Sequence, residues 1–262
     1  MTAWDEVADL YGAGASPFAR FAEALVRRAG VEPGERVLDI GCGNGLGLAA
    51  MAGLEPDARP VGLDASAEML RACRRRVPSA RLVRADAAAL PWPAGAFDVA
   101  VASSVLQFLG VAPAALAEWR RVLRPGGRLA LSVPAGPAAG GLPDVNGTLL
   151  REFFGRLSEQ SRARLLALPR PPADPPDLAG ACRAAGFAAA EVDDVPFDTG
   201  AASLDAWWQL QWTHGFRAFL RELDGPARTA ARERAFTLLR PHCLPSGEVP
   251  GTAVFRFCVA HA

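Results

Sequence analysis

The sequence contains no lysine, so all 28 of its basic side chains are arginines, and 28 acidic side chains balance them. No basic run stands out along the chain, and the electrostatic footprint of a nucleic-acid-binding protein is therefore missing. We expect no nucleic-acid partner. Because alanine, glycine and proline are also frequent, the preference for arginine is typical of GC-rich coding and carries no functional information.

Cysteine is scarce and irregularly spaced, with five residues and no CxxC pair. Such spacing fits neither a zinc site nor a dense disulfide framework, so we expect no metal site and reduced thiols in a cytoplasmic protein. The N-terminal residues are acidic and amphipathic, unlike a secretion signal. No stretch approaches the roughly 20 apolar residues of a membrane helix, so we expect no membrane partner. We also expect a monomer or homodimer.

Half of the 262 residues are hydrophobic, and strand and helix patterns alternate along most of the chain. This rhythm predicts a parallel sheet with helices on both faces. The predicted strands are 36–40, 59–63, 80–84, 97–102, 128–133, 189–197 and 252–260. The predicted helices are 18–29, 46–53, 67–77, 114–122, 148–168 and 177–185. Because a helical insertion instead of a crossover unit precedes the last strand, that strand is expected to be antiparallel.

The domain organisation follows from where the alternation is interrupted. We expect N-terminal helices and a cofactor-binding core in 1–134, and a helix and a strand of the same core in 177–199. Cap insertions are predicted in 135–176 and 200–250, and the last core strand lies in 251–262. The prolines of 169–176 predict a stiff linker.

The stretch VLDIGCGNGLG is a buried-strand pattern that ends in four glycines spaced two apart. Ligands bind at the carboxyl ends of strands in open α/β sheets, and glycine lets backbone approach them closely. We therefore expect Gly41, Gly43 and Gly45 to line a cofactor cleft. The dinucleotide fingerprint G-x-G-x-x-G fails in both registers, because its last position falls on Leu46 or Leu48, which disfavours a nicotinamide oxidoreductase.

Acidic residues follow the next two predicted strands. Asp64 lies about 20 residues beyond the glycines, where an acid hydrogen-bonds the ribose of an adenosine ligand. Asp86 follows the third strand, where it can accept a hydrogen bond from the adenine amine. NAD and other adenosine cofactors share this device, so the two acids predict an adenosine cofactor without identifying it.

At these motifs the chain resembles the class I S-adenosylmethionine-dependent methyltransferases, in particular the small-molecule type. The matching segments are VLDIGCGNG, VGLDAS followed by AEML, RADAAALPWPAGAFDVAVASSVLQF and RVLRPGGRLALSVP, in family order within roughly 18–134. The resemblance implies a Rossmann-like, seven-stranded, mostly parallel sheet with an antiparallel last strand, helices on both faces and helical cap insertions. It implies S-adenosylmethionine as cofactor and S-adenosylhomocysteine as product.

The resemblance also implies cofactor contacts, position by position. For the methionine moiety, it implies contacts from the backbone of Gly41, Cys42 and Gly43, with Asp39 steadying the loop near the amino group and Ala102 and Ser103 facing the same part. For the adenosine, it implies that Asp64, beside Ala65, binds the ribose and that Met69 packs on adenine, with Asp86 and Ala87 at the adenine edge. It also implies that Tyr11 lies in an N-terminal helix closing over the cofactor.

Methyl transfer from a sulfonium mainly needs alignment and exclusion of water, and a general base matters only for a poorly acidic acceptor. The candidate catalytic residues are His214, as a base or substrate contact, and Gln107, which follows the fourth strand where some relatives carry histidine. An amide cannot act as a base near neutral pH, so Gln107 is expected to orient a substrate. Asp98 lies at the start of its strand, away from the cleft, and receives no chemical role.

Aromatic residues in both insertions predict an apolar or aromatic substrate pocket, although tryptophans at helical spacing also suit the core of a cap. The candidate substrate-binding residues are Gln107, Phe108, Phe153, Trp207, Trp208, Trp212 and His214. The predicted function is methyl transfer to an O, N or C atom of a small, apolar or aromatic metabolite, plausibly in natural-product biosynthesis. The alternative is a protein that binds the same cofactor on this scaffold but catalyses another reaction, such as cyclisation.

Overall fold

The computed structural model describes residues 5, 8–9, 11–12, 17–109, 112–137, 142–167 and 177–262. Seven strands form one sheet in the order β3-β2-β1-β4-β5-β7-β6. The strands are β1 (Arg36–Ile40), β2 (Arg59–Asp64), β3 (Arg81–Arg84), β4 (Phe97–Ser103), β5 (Leu123–Pro137), β6 (Ala189–Asp198) and β7 (Thr252–His261). Strand β7 is antiparallel to both of its neighbours, and β1 to β5 pair in parallel, so the predicted mixed sheet is confirmed.

Helices follow most strands and cover both faces of the sheet. Those in the described residues are α1 (Phe18–Ala29), α2 (Leu46–Leu54), α3 (Ala67–Arg76), α4 (Ala112–Val122), α5 (Val145–Phe153), α6 (Glu159–Leu166), α7 (Leu178–Ala184), α8 (Leu204–Leu210), α9 (Arg217–Glu222) and α10 (Gly225–Leu239). One face of the sheet packs against Trp119 of α4, and the other packs against Leu25 of α1. Strands buried on both sides explain the continuous apolar runs of β1 and β4.

The two predicted insertions form one cap with its own apolar core. Leu149 and Phe153 of α5 pack in the same cluster as Trp208 of α8 and Leu220 of α9. The insertions are also joined by an ion pair between Glu152 and Arg234, at 2.8 Å. The two halves of the cap therefore share one apolar core, although they are separated in sequence by α7 and β6.

The single helix predicted over 148–168 is wrong, because this segment contains two helices with separate caps. Asp144 accepts a hydrogen bond from the backbone of Gly147 and starts α5 before the predicted position. Ser158 accepts one from Ser161 and starts α6 after a short 3₁₀ turn. The predicted linker 169–176 lies outside the described residues.

Tyr11 lies in a turn, and most of the N-terminal helix predicted around it falls outside the described residues. In the part of the chain that the structure describes, no helix is both long and apolar enough to cross a membrane. The same ranges contain no group of three or more His, Cys, Asp or Glu side chains arranged to hold a metal ion.

Candidate active site

Two adjacent cavities lie at the carboxyl ends of β1, β2 and β4. The smaller has a volume of about 280 Å³ and is lined by the glycine loop. The larger has a volume of about 1070 Å³ and lies between the sheet and the cap. Residues that line both cavities form their common wall: Tyr11, Phe18, Phe21, Ser104 and Phe108.

The glycines of the loop lack side chains for different reasons. A Cβ atom on Gly41 would lie 2.5 Å from a methyl carbon of Val105, and one on Gly45 would lie 2.7 Å from the sulfur of Cys73. Gly43 has a φ of +53°, and a Cβ there would lie 3.9 Å from the sulfur of Met69, at ordinary contact distance. Gly41 and Gly43 line the smaller cavity, as does Cys42, whereas Gly45 does not and instead makes room for α3.

Asp39 is a buried carboxylate at the wall of the smaller cavity. It is only 4% exposed, and its Oδ2 has no hydrogen-bond partner. Burial raises its pKa well above the ordinary value. Gly47 leaves room for this atom, because a Cβ there would lie 2.6 Å from Oδ2. A buried acceptor without a donor fits the amino group that the resemblance assigns to it.

Asp64 is held in place by the backbone on both sides of it. Its Oδ2 accepts a hydrogen bond from the N–H of Gly43 at 2.9 Å, and its Oδ1 accepts one from Ser66 at 2.8 Å. Burial raises the pKa of this carboxyl, and these N–H donors act in the opposite direction. The backbone of Ala65 is a further donor to this carboxyl, and the lone-pair capacity that remains suits it to accept from a ribose hydroxyl.

The remaining predicted cofactor residues divide between the cavity and the core. Met69, Asp86, Ala87 and Ser103 line the smaller cavity. Ala102 does not, because its side chain is 1% exposed and packs in the core beneath the sheet end.

The charges of the smaller cavity fit S-adenosylmethionine. Asp39, Asp64 and Asp86 line it, and no arginine among the described residues does. The cofactor carries a positive sulfonium and a positive ammonium, which acidic walls favour. A pyrophosphate would meet repulsion there, so the cavity is poorly suited to a dinucleotide.

An N-terminal segment is fastened over the glycine loop. The Asn44 amide donates to the backbone carbonyls of Tyr11 at 2.6 Å and Ala8 at 3.3 Å. The Tyr11 ring stacks on Phe18 with 4.8 Å between ring centroids. Sequence reasoning missed Asn44, although a polar residue inside the glycine loop was a usable signal.

The predicted substrate residues divide in a similar way. Gln107, Phe108, Trp207 and His214 line the larger cavity. The other three aromatic residues do not line either cavity and pack instead in the cap: Phe153, Trp208 and Trp212.

His214 is a neutral imidazole with a defined orientation. Burial lowers its pKa to about 4. Its Nδ1 accepts a hydrogen bond from the backbone of Phe216 at 3.3 Å. The ring hydrogen therefore resides on Nε2, and the side chain is suited to donate a hydrogen bond, not to take a proton.

Ser104, in the common wall, was missed by sequence reasoning. Its φ of 55° is positive, which among the described non-glycine residues occurs only here. Its N–H donates to the carbonyl of Ser132 at 2.9 Å, which holds it beside β5. Strained backbone of this kind concentrates at functional sites, and nothing local in the sequence announces it.

Comparison with known proteins gives consistent similarities. A family model described as a methyltransferase domain matches residues 38–131. The nocamycin O-methyltransferase of Saccharothrix syringae is 31% identical, over 87% of this chain and 86% of that protein. The trans-aconitate 2-methyltransferase of Azoarcus sp. is 38% identical, but the match covers 51% of this chain and about half of that enzyme, 52%.

Solved structures share the fold. The phosphoethanolamine N-methyltransferase 2 of Haemonchus contortus, crystallised with S-adenosylhomocysteine, has a TM-score of 0.56 and 17% identity over 92% of this chain and 52% of that one. The [4+2]-cyclase SpnF has a TM-score of 0.54 and 21% identity over 93% of this chain and 80% of that one. At such identities the likeness concerns the fold alone.

Proposed function

Because the chain belongs to the class I S-adenosylmethionine-dependent methyltransferases, we propose that it methylates an O, N or C atom of a small, apolar or aromatic molecule. The observation that carries this proposal is the pair of adjacent cavities, one lined by acids and the other mostly apolar. Bound in the smaller cavity, the cofactor supplies a methyl group already activated by a positive sulfur. The larger cavity has room for a bulky acceptor next to the residues that line both cavities.

In this proposal the chain's own residues bind and orient the two reactants. The backbone of Gly41 and Gly43 holds the methionine end, and Asp39 accepts from its amino group. Asp64 accepts from the ribose, and Asp86 accepts from the adenine amine. The aromatic common wall excludes water from the reacting atoms.

The proposal extends to the biological setting. The likeness to the nocamycin enzyme over most of both chains supports a role in natural-product biosynthesis. The five cysteines are free thiols, which supports the cytoplasm as the site of action. We expect the enzyme to act as a monomer or a homodimer.

The first test is calorimetric binding of S-adenosylhomocysteine, followed by transfer of label from S-[methyl-³H]adenosylmethionine to small molecules extracted from the source cells. We expect micromolar or tighter binding and labelled product. Binding without transfer to any acceptor contradicts the proposal and favours the alternative, a reaction such as cyclisation on the same scaffold.

A further inference from the structure

Among the described residues that line the larger cavity and the common wall, we find no group suited to remove a proton from a weakly acidic acceptor. In the described ranges, the ionisable side chains that line them are Tyr11, Asp144 and His214. His214 holds a hydrogen bond on Nδ1, and its pKa is lowered to about 4. Burial raises the pKa of Tyr11 to about 12, so its hydroxyl stays protonated at neutral pH.

Asp144, the third ionisable group, is the N-cap residue of α5. Its Oδ1 accepts a hydrogen bond from Gly147 at 2.8 Å, and its Oδ2 lies 3.6 Å from Arg151. The other polar side chains of this lining are amides and hydroxyls, and neither is a base near neutral pH. They are Ser104, Gln107, Asn146, Thr199, Gln211 and Thr252.

Acceptors differ in how much they need such a base. An aliphatic alcohol, a phenol with a pKa of about 10, and an alkylammonium of similar pKa must all lose a proton before or during transfer. The alkylammonium would also be repelled by the sulfonium. A carboxylate, with a pKa of about 4, arrives ionised and needs no help.

We infer that the acceptor is a carboxylate on an otherwise neutral, apolar body and that the product is its methyl ester. The inference rests on the proposed methyl transfer and specifies its substrate class. A lone pair of the carboxylate oxygen forms the bond to the methyl carbon while the carbon–sulfur bond breaks and its electron pair goes to sulfur. No proton moves, and both products are neutral at the reacting atoms.

The charge of the walls makes the cofactor the counterion of this carboxylate. No arginine among the described residues lines either cavity, and outside those residues the sequence contains one arginine, Arg170. A carboxylate in a mostly apolar cavity is costly unless it is paired. The sulfonium supplies that pair, and the Nε2–H of His214 and the amide of Gln107 supply hydrogen-bond donors.

One experiment identifies the bond that is formed. The enzyme is incubated with S-[methyl-³H]adenosylmethionine and an extract of the source cells, supplemented with anthraquinone-2-carboxylate and its alcohol counterpart, 2-(hydroxymethyl)anthraquinone. Mild alkali then releases methyl esters as volatile methanol and leaves ethers, methylamines and C-methyl groups intact. We expect volatile label; alkali-stable label overturns the carboxylate and leaves methyl transfer standing, whereas no transferred label overturns methyl transfer itself.

A binding experiment tests the counterion without turnover. Sinefungin carries an ammonium group where S-adenosylmethionine carries its methyl sulfonium, and S-adenosylhomocysteine carries no charge there. We expect anthraquinone-2-carboxylate to bind about tenfold more tightly, or better, to the sinefungin complex than to the S-adenosylhomocysteine complex. The matched alcohol should bind both complexes equally. Equal binding of the carboxylate to both complexes contradicts the assignment.

The next variants test whether the counterion of the carboxylate is the cofactor or an arginine of the protein. Leu210→Arg adds a cation to the cavity wall and should let the S-adenosylhomocysteine complex bind the carboxylate about tenfold more tightly. The matched control is Leu166→Arg, at a side chain that is 57% exposed and outside both cavities, and it should change nothing. Arg170→Ala should leave binding to the sinefungin complex unchanged; a tenfold loss would make Arg170 the counterion and overturn the role of the sulfonium.

The pH dependence of turnover completes the test. At saturating S-adenosylmethionine, kcat/KM for a carboxylate acceptor should stay flat between about pH 6 and about pH 9, because no proton is removed from the acceptor. A tenfold rise per pH unit across that range would reveal a required deprotonation and would overturn the inference.

Discussion

Asp39 and Asp64 lie near the ends of neighbouring strands, yet their surroundings give them different protonation behaviour. Burial raises the pKa of both, but Asp64 receives backbone N–H donors that favour its charged form. The Oδ2 of Asp39 has no such donor. We therefore expect the bound cofactor to set the charge of the Asp39 carboxyl.

We predict that S-adenosylhomocysteine binding releases protons and strengthens as pH rises towards the raised pKa of Asp39. In the free protein the raised pKa favours the protonated form of this carboxyl; the ligand's ammonium favours the carboxylate, so binding shifts the group towards its ionised form and releases protons. Calorimetry in buffers of different ionisation enthalpy measures the release. Asp39→Asn should bind more weakly and lose the proton release; equal proton release in that variant contradicts the assignment.

We predict that Asp64→Ala weakens S-adenosylhomocysteine binding by about 1.5–3 kcal/mol, the cost of losing charge-assisted hydrogen bonds. Part of this loss arises because the backbone of Gly43 loses its acceptor. Titration calorimetry measures it. Glu23→Ala is the control, because Glu23 is an acid on the surface of α1 that pairs with Arg27 of the same helix. Unchanged affinity in the Asp64→Ala variant would show that Asp64 does not bind the ribose.

At the scale of elements, Asn44 joins the N-terminal segment to the glycine loop. It donates to the carbonyls of Ala8 and Tyr11, and Ala8 packs near Met69 at the start of α3. The same segment is tied to the start and the outer face of α3 by Asp5, which accepts from the Ser66 hydroxyl, and by Asp9, which pairs with Arg75. An amide in the wall of the smaller cavity is thus one of the groups that hold the segment in place.

We predict that Asn44→Asp, which replaces the donor by an isosteric acceptor, releases this segment. Hydrogen exchange in 5–12 should rise, and S-adenosylhomocysteine affinity should fall by about 1–2 kcal/mol because two carbonyls lose their donor. Removing residues 1–12 from both proteins provides the check. If Asn44 acts through the segment, the substitution should have little further effect in the shortened chain; an undiminished effect would place Asn44 directly on the cofactor.

Local signals were sufficient for most core elements. The helix α1 and the strand β1 have the predicted bounds, because the spacing of apolar residues and the glycines and prolines that end each element lie within a few residues of each other in sequence. Strand β5 extends well beyond the predicted 128–133, since Leu123 pairs with Phe97 of β4 and the C-terminal end, through Pro137, pairs with β7, more than 100 residues away in sequence. Between Leu123 and Arg128 the strand is irregular, because Phe97 pairs with Leu123 while Val99 pairs with Arg128.

The cofactor residues came from a motif, whereas the substrate wall depends on packing that no motif records. Trp207 lines the larger cavity and its neighbour Trp208 fills the cap core, a division set by the rotation of α8 against α5 and α9. The positive φ of Ser104 likewise follows from its tertiary surroundings. Sequence alone gives the composition of the cap but not which of its faces is presented to a ligand.

At the scale of the whole molecule, an ion network stabilises the end of the sheet opposite the cavities, where β4 begins. Asp98 of β4 accepts hydrogen bonds from Arg36 of β1 and from Arg124 of β5, at 3.0 Å and 2.6 Å. The two guanidinium groups, above all that of Arg36, hold the pKa of this carboxyl well below its usual range. Three strands are joined there by one side chain that is only 15% exposed.

We predict that Asp98→Asn lowers the free energy of unfolding by about 2 kcal/mol at neutral pH. Because the folded-state pKa is depressed, this stabilisation is present above the unfolded pKa of about 4 and is lost as pH falls towards the folded value. Urea unfolding at neutral and acidic pH measures the difference between the two proteins. The difference in unfolding free energy should shrink on acidification, and a constant difference contradicts the ion-pair origin. At each pH, S-adenosylhomocysteine should bind both proteins equally.

The single core of the two-part cap also limits how this enzyme can diverge. Segments 142–167 and 204–239 bury each other's apolar side chains, so neither can be exchanged alone without exposing residues such as Leu149 and Trp208. A recombination event with a crossover in α7 or β6 would inherit mismatched halves and yield an aggregation-prone chain. New acceptor ranges in this lineage should therefore arise by point substitution within the cap, or by joint inheritance of both halves.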